Sequence, residues 1–244
     1  DDELIRNIYL QKCFEGMGKM SFSEHPELQE AWKGGQFDLQ VINSWFCSLK
    51  ILKLQKCEIQ PCAIPSNILP YLKSLKDLEL EDCKNVEVIF EMDVSEDAGT
   101  TFQLQKLVLQ GLPKLMQVWK GNGKETHSFQ NLQAVLVAGC QRLRNVFPAA
   151  VAKNLKKLRS LVIGTCRRLL EIVRKEEDAE AAVAEFVFPC LTTLRLSNLP
   201  ELICFYPEPF TLGCPVLDHL VVVDCSKLEL FESADGQPVF LDLK

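Results

Sequence analysis

"LRSLVIGTCRRLLEIV", Leu158 to Val173, is the stretch on which the reading of this chain turns. Its fixed points are Leu158, Leu161, Ile163, Cys166 and Leu169, with variable residues between them. The same order returns at Leu132 ("LQAVLVAGCQRLRNVF"), Leu75 ("LKDLELEDCKNVEVIF") and Leu217 ("LDHLVVVDCSKLELF"), and in shortened form at Leu49 ("LKILKLQKCEI"). Leu161 and Ile163 alternate around Val162, the period-two pattern of a strand with one buried face. A single such strand cannot bury that face alone, so recurrence means stacking of one copy on the next.

This is the pattern of a leucine-rich repeat, a short strand and a turn with an inward column of cysteine or asparagine. With the first strand aliphatic as marker, the repeats begin at Met20, Leu52, Leu78, Leu107, Val135, Leu161, Leu194 and Leu220. The expected architecture is an α/β solenoid: a horseshoe with a parallel β-sheet on the concave face and irregular or short helical returns on the convex face. All 244 residues form one domain of about eight repeats, with residues 1–19 a distorted or partial repeat. The stretch opens without a methionine and shows no polar cap at either end, so it reads as a piece of a longer protein. Met20 to Leu107 and Leu107 to Leu194 are each 87 residues, which groups the repeats in threes. The first repeat of each group replaces the cysteine by Leu112, Leu199 or His25, each followed by proline, and ends on Trp119, Tyr206 or Trp32. Those aromatics are expected to pack between turns of the convex side.

The returns should be irregular. Helical pieces are expected at Pro148–Asn154, where proline opens the segment, and near Asn67–Leu72. Two longer acidic returns, Glu91–Thr101 and Lys175–Val187, read as solvated loops, the second able to form a short amphipathic helix.

Cysteine usage points the same way as the repeats. Cys57, Cys83, Cys140, Cys166 and Cys225 each lie five residues after their marker, and Cys13 stands in the same relation to Ile8. Thiols at one position of every coil form a buried column. Eleven cysteines without paired C-x-x-C spacing, and no N-x-[ST] acceptor, favour a reducing cytoplasmic setting. No stretch is long and apolar enough to span a membrane. A net charge of -6 argues against a general nucleic-acid binder.

Catalytic and cofactor chemistry find no foothold. "GNGKET" (Gly121 to Thr126) contains Gly-Lys, but a phosphate loop needs G-x-x-x-x-G-K-[ST]. Glu125 follows the lysine, Val118 stands in place of the first glycine, and a carboxylate there repels phosphate. The three histidines are dispersed, and buried structural thiols are inert. No catalytic, cofactor-binding or metal-binding residue is assigned.

The candidates are binding residues. Outward positions between the paired aliphatics line the concave face, and Glu79, Val108, Leu136, Val162, Arg195 and Val221 are the partner-binding candidates among them. Val108, Leu136 and Val162 should meet solvent, beside the small Gly111, Ala138, Gly139 and Gly164. Such an apolar strip marks a protein contact, or reflects the strand preference of β-branched residues. A second candidate contact is basic: Arg142, Arg144, Lys156, Lys157, Arg159, Arg167 and Arg168, set against a net-acidic chain, read as an intramolecular or partner contact or as a solvated flank.

The motif C-x-x-L-x-x-hydrophobic-Phe (Cys140 to Phe147), the "LP-x-L" strand exits at Leu112 and Leu199, and the entries "FQNL", "FPCL" and "CPVL" alternate in a particular order. That order resembles the repeat region of plant coiled-coil, nucleotide-binding, leucine-rich-repeat (NLR) disease-resistance proteins. The resemblance implies an innate-immunity sensor: the repeats recognise a pathogen effector or modified host protein and help hold the receptor inactive. It also implies an intramolecular contact with a nucleotide-binding module, the only place where ATP or ADP is expected. The alternative is a substrate-recruiting repeat subunit of a ubiquitin ligase, which would carry an F-box elsewhere.

Overall fold

A computed structural model describes residues 19–21, 46–59, 61–66, 68–92, 102–121, 129–176 and 184–228. Eight strands form one parallel sheet: β1 (Lys19–Ser21), β2 (Ile51–Gln55), β4 (Asp77–Glu81), β6 (Lys106–Gln110), β8 (Ala134–Ala138), β10 (Ser160–Gly164), β13 (Thr193–Ser197) and β15 (His219–Val223). They lie side by side in chain order. The seven intervening strands belong to the returns: β3 (Cys62–Ile64), β5 (Val88–Glu91), β7 (Gln117–Lys120), β9 (Phe147–Pro148), β11 (Val173–Arg174), β12 (Ala184–Val187) and β14 (Phe210–Gly213).

The register is the one the repeat demands. Met20 stands opposite Leu52, Leu52 opposite Leu78, and the row continues through Leu107, Val135, Leu161 and Leu194 to Leu220. From β2 to β13 both aliphatics of the L-x-L point inward, so Leu78, Leu80, Leu107, Leu109 and Ile163 are fully buried, whereas in β15, the last strand, Leu220 is half-buried and Val222 exposed. A slip of one residue would turn a whole strand's apolar side to water, which is why the pattern fixes the pairing.

The seven long-sheet strands from β2 to β15 end the same way. Lys56, Asp82, Gly111, Gly139, Thr165, Asn198 and Asp224, four residues after their markers, all have φ between 52° and 69°. The N–H of this left-handed residue donates to a carbonyl of the following coil, as in Asp82 to Gln110 (2.9 Å), Gly111 to Ala138 (2.9 Å) and Thr165 to Ser197 (2.9 Å). Asparagine, aspartate and glycine tolerate that conformation best. At Gly111 a Cβ would also lie 2.4 Å from Asp82 Oδ1, so any other residue there would have to displace that carboxylate.

The next residue turns back into the core. Cys83 and Cys140 are fully buried, and their thiols donate to carbonyls of the preceding coil, Leu54 (3.3 Å) and Leu109 (3.9 Å). A hydrogen bond shared with Cys166, together with burial, pushes the Cys140 thiol well above the ordinary range. Leu112 and Leu199 fill the same slot, also without exposure. A turn follows, closed by N–H to C=O bonds such as Leu143 to Cys140 and Leu169 to Cys166. In the two leucine copies Pro113 and Pro200 take its second position, where a fixed φ suits a type I or II turn.

Among the described residues the returns hold less helix than extended chain. One five-residue helix, α1 (Ala149–Lys153), follows Pro148 as expected, and Leu69–Tyr71 forms a single 3₁₀ turn. The rest pair in parallel as three small sheets, β3-β5-β7, β9-β11 and β12-β14. The amphipathic helix expected within Lys175–Val187 is corrected at its C-terminal end. Ala184–Val187 is strand β12, with Ala184 and Phe186 buried and Glu185 outward, a period of two rather than 3.6. Residues 177–183, most of the other acidic return, and the expectations attached to Ile8, Cys13, His25 and Trp32 lie outside the described residues.

Trp119 and Tyr206 pack where the sequence placed them. Trp119 stacks on Phe90 and meets Phe129 and Phe147, with ring centroids 5.3–6.0 Å apart. Tyr206 sits edge-on to Phe186 at 5.1 Å and to Phe210 at 6.2 Å.

Two stability measurements follow from this packing. Leu161→Ala should lower unfolding free energy by about 2–5 kcal/mol in urea titration, because it empties a fully enclosed core site. Trp119 Nε1 is buried without a hydrogen-bond partner. Trp119→Phe should therefore change stability by less than about 1 kcal/mol, while Trp119→Ala costs about 3–5 kcal/mol.

Candidate functional site

Strand alternation sets the open face of the long sheet. Ser21, Lys53, Glu79, Val108, Leu136, Val162, Arg195 and Val221 form one continuous row across it, each opposite the next. The structure thus brings all six predicted concave-face residues together. Arg195 is exposed, and Glu79, Val108, Leu136, Val162 and Val221 are half-buried by their neighbours in the sheet.

The row divides by chemistry. Over β2 to β6 it is ionic: Glu79 pairs with Lys53 across one strand boundary and with Lys106 (2.8 Å) across the other. Over β6 to β10 it is apolar, Val108, Leu136 and Val162 in register, flanked by Lys106 and Gln110 on β6, Ala134 and Ala138 on β8, and Ser160 and Gly164 on β10. At β13 it becomes polar again, with Arg195 between Thr193 and Ser197.

Burial alone would raise the Glu79 carboxyl, but hydrogen bonds and charge from Lys106 and Lys53 overcome it and hold the group below the ordinary value of 4.5. Glu79 is therefore paired on both sides within the sheet, with Asp77 and Glu81 flanking it on the same strand. Lys106 escaped the sequence reading because it precedes the marker leucine. The signal that finds it is its register, directly opposite Asp77 and diagonal to Glu79.

The seven basic candidates fall into two groups. Arg142, Arg144, Arg167 and Arg168 lie on the turns that leave β8 and β10, while Lys156, Lys157 and Arg159 lie on the turn that enters β10. A five-residue strand, about 13–17 Å, separates the two rims. On the entry rim Lys157 Nζ donates to Asn131 Oδ1 (2.7 Å) and Lys156 Nζ to the Val187 carbonyl (3.3 Å). A shallow hollow on the exit rim, lined by Lys56, Cys57, Glu58, Asp82, Lys84 and Asn85, is open and mostly charged. It lacks the apolar enclosure of a small-molecule pocket. Among the described residues no cluster of His, Cys, Asp and Glu could hold a metal ion, and no helix is long and apolar enough to cross a membrane.

The ionic trio has a pH signature. Because the folded-state pKa of Glu79 lies below its unfolded value, its contribution is complete above about pH 4.5 and is lost as pH falls through the folded value. Glu79→Gln should cost about 0.5–1 kcal/mol at pH 7, the scale of exposed lysine pairs. The urea midpoints of variant and parent should converge at acid pH.

Comparison with known proteins agrees with this geometry. The family model described as plant disease resistance protein RPS2-like, leucine-rich repeats, matches residues 17–167. Two Arabidopsis thaliana proteins named for disease resistance are similar. At4g19050 is 29% identical over 161 residues, covering 61% of this chain and 13% of its own length. At4g27220 is 28% identical over 185 residues, covering 65% of this chain and 20% of its own length. The chain thus spans a small part of the relatives it matches. No solved structure matches. The repeat order, the eight-stranded parallel sheet and a match over more than half the sequence together place this chain in the leucine-rich-repeat family of RPS2-like plant disease resistance proteins.

Proposed function

We propose that this chain is the recognition region of a plant intracellular immune receptor. Its open face binds a pathogen effector or a host protein modified by one, and other contacts of the repeats help hold the receptor inactive. The observation that supports this most is the strip Val108–Leu136–Val162, three half-exposed aliphatics in register, with Ala134, Ala138 and Gly164 on its central and later strands and Lys106, Gln110 and Ser160 at its margins. Small flanking residues leave room for a partner's side chains, and neighbouring ionic groups at Glu79 and Arg195 supply orientation at the edges.

On this reading the role is binding rather than catalysis, and the protein works in the cytoplasm. The module that binds ATP or ADP lies elsewhere in the receptor, with basic residues of the rims available for contact with it. The family match and the two relatives give no support to a ubiquitin-ligase subunit.

The double substitution Val108→Glu and Leu136→Glu tests the proposal in the full-length receptor. Neither side chain enters the core, so the variant should fold and accumulate normally. The expected outcome is loss of the effector-triggered cell-death response in leaf tissue. A normal response from a normally accumulating variant would overturn the assignment of this face.

A further inference from the structure

The exit rim carries a second surface that is unlike the open face. Nine residues after their markers, five successive coils present an outward residue beyond the buried aliphatic of the turn: Glu87, Met116, Arg144, Leu170 and Ile203. These positions stack from coil to coil, with Met116 N–H donating to the Glu87 carbonyl (2.9 Å), Leu170 to Arg144 (2.9 Å) and Ile203 to Leu170 (2.8 Å). Met116, Leu170 and Ile203 are 43%, 37% and 46% exposed, half of the large hydrophobic side chains left exposed among the described residues. The fold does not require them to be apolar, because Glu87 and Arg144 occupy the same column.

Two residues earlier in each coil runs a parallel column of charge: Lys114, Arg142 and Arg168, with Arg167 beside the last at the tip of its turn. This column ends in satisfied groups on both sides. Lys114 Nζ donates to Asn85 Oδ1 (2.9 Å) at one end, and Glu201 is paired with Lys227 (2.7 Å) at the other. Between them, Arg142, Arg144, Arg167 and Arg168 are exposed and form no ion pair with any described carboxylate. The half-buried Glu171 nearby interacts with Arg174. Three guanidinium groups with no carboxylate partner among the described residues lie beside a column in which a fourth, Arg144, stands among apolar side chains; in a chain of net charge -6 they are not explained by solubility, which the acidic excess already provides.

We infer that this rim is a docking surface for an acidic segment of a protein partner, one whose carboxylates alternate with apolar side chains. Arg142, Arg167 and Arg168 take the carboxylates, where guanidinium geometry favours paired hydrogen bonds. Met116, Leu170 and Ile203 take the apolar side chains, and Arg144 bridges the two columns. The surface lies beyond the ends of the strands, so its occupant and a ligand on the open face do not compete for the same residues.

A fluorescein-labelled synthetic peptide of alternating glutamates and leucines serves as probe, with anisotropy as readout on the purified chain. Binding should weaken by about tenfold or more in Arg142→Glu/Arg168→Glu, and also in Leu170→Ser/Ile203→Ser. It should be unchanged in Val108→Glu/Leu136→Glu. All these positions are exposed or half-exposed, and matching urea midpoints will show that each variant is folded. Equal affinity across the variants overturns the inference. So does equally tight binding of a polyglutamate peptide without leucines, or full competition by a single-stranded oligonucleotide, since either reduces the rim to an unspecific anion attractor.

Discussion

The constraint on which the rest depends is that every coil must pass its backbone hydrogen bonds to the next. Before each strand, two successive N–H groups converge on one carbonyl of the preceding coil, as Lys76 and Asp77 do on Lys50, and Thr192 and Thr193 on Arg159. After each strand the left-handed residue extends the ladder by one more bond. Parallel pairing is thereby carried past both ends of a five-residue strand. What lies between is mostly buried leucine, isoleucine or valine, and the inward cysteine closes the corner, its thiol reaching a carbonyl of the coil before it at Cys83 and Cys140 and one of its own strand at Cys57 and Cys166.

That regularity explains how a surface arises without being selected residue by residue for position. Once the inward pair is fixed, the residue between them must face solvent, and its equivalents in adjacent coils must be its neighbours. Function is then free to vary along rows. The middle of the sheet is apolar and small, the first part holds a lysine–glutamate–lysine ladder, and the exit rim interleaves arginine with aliphatic side chains. The same scaffold presents different chemistry at different depths along its axis.

The long sheet was legible in the sequence because L-x-L states both burial and register. The markers from Met20 to Leu220 are the observed row, and the six concave-face candidates occupy one line. The returns were less legible. Their lengths vary, and a stretch such as Ala184–Val187 becomes strand only because Phe210–Gly213 lies beside it, a contact no local pattern announces. Pro148 did announce α1, since proline acts locally. The grouping of charges was hidden for a related reason: Arg142 and Arg159 are near in sequence, yet they flank opposite ends of strands. Conversely, Met116, Leu170 and Ile203 are far apart in sequence and are brought to one column only by stacking.

The two sides of the solenoid are unequal in continuity. The inner sheet runs unbroken through eight strands, whereas the returns are tied in three separate groups of three, two and two strands. Their aromatic packing is likewise divided, one group around Trp119 and Phe129 and another around Phe186 and Phe205. Mechanically this is a bound spine with a sectioned cover. Bending strain will gather at the seams between sections, near β9–β11, while distances along the unbroken face stay nearly constant. In such a body any flexing would fall in the cover, while the order in which the sheet displays its rows stays fixed by the unbroken pairing.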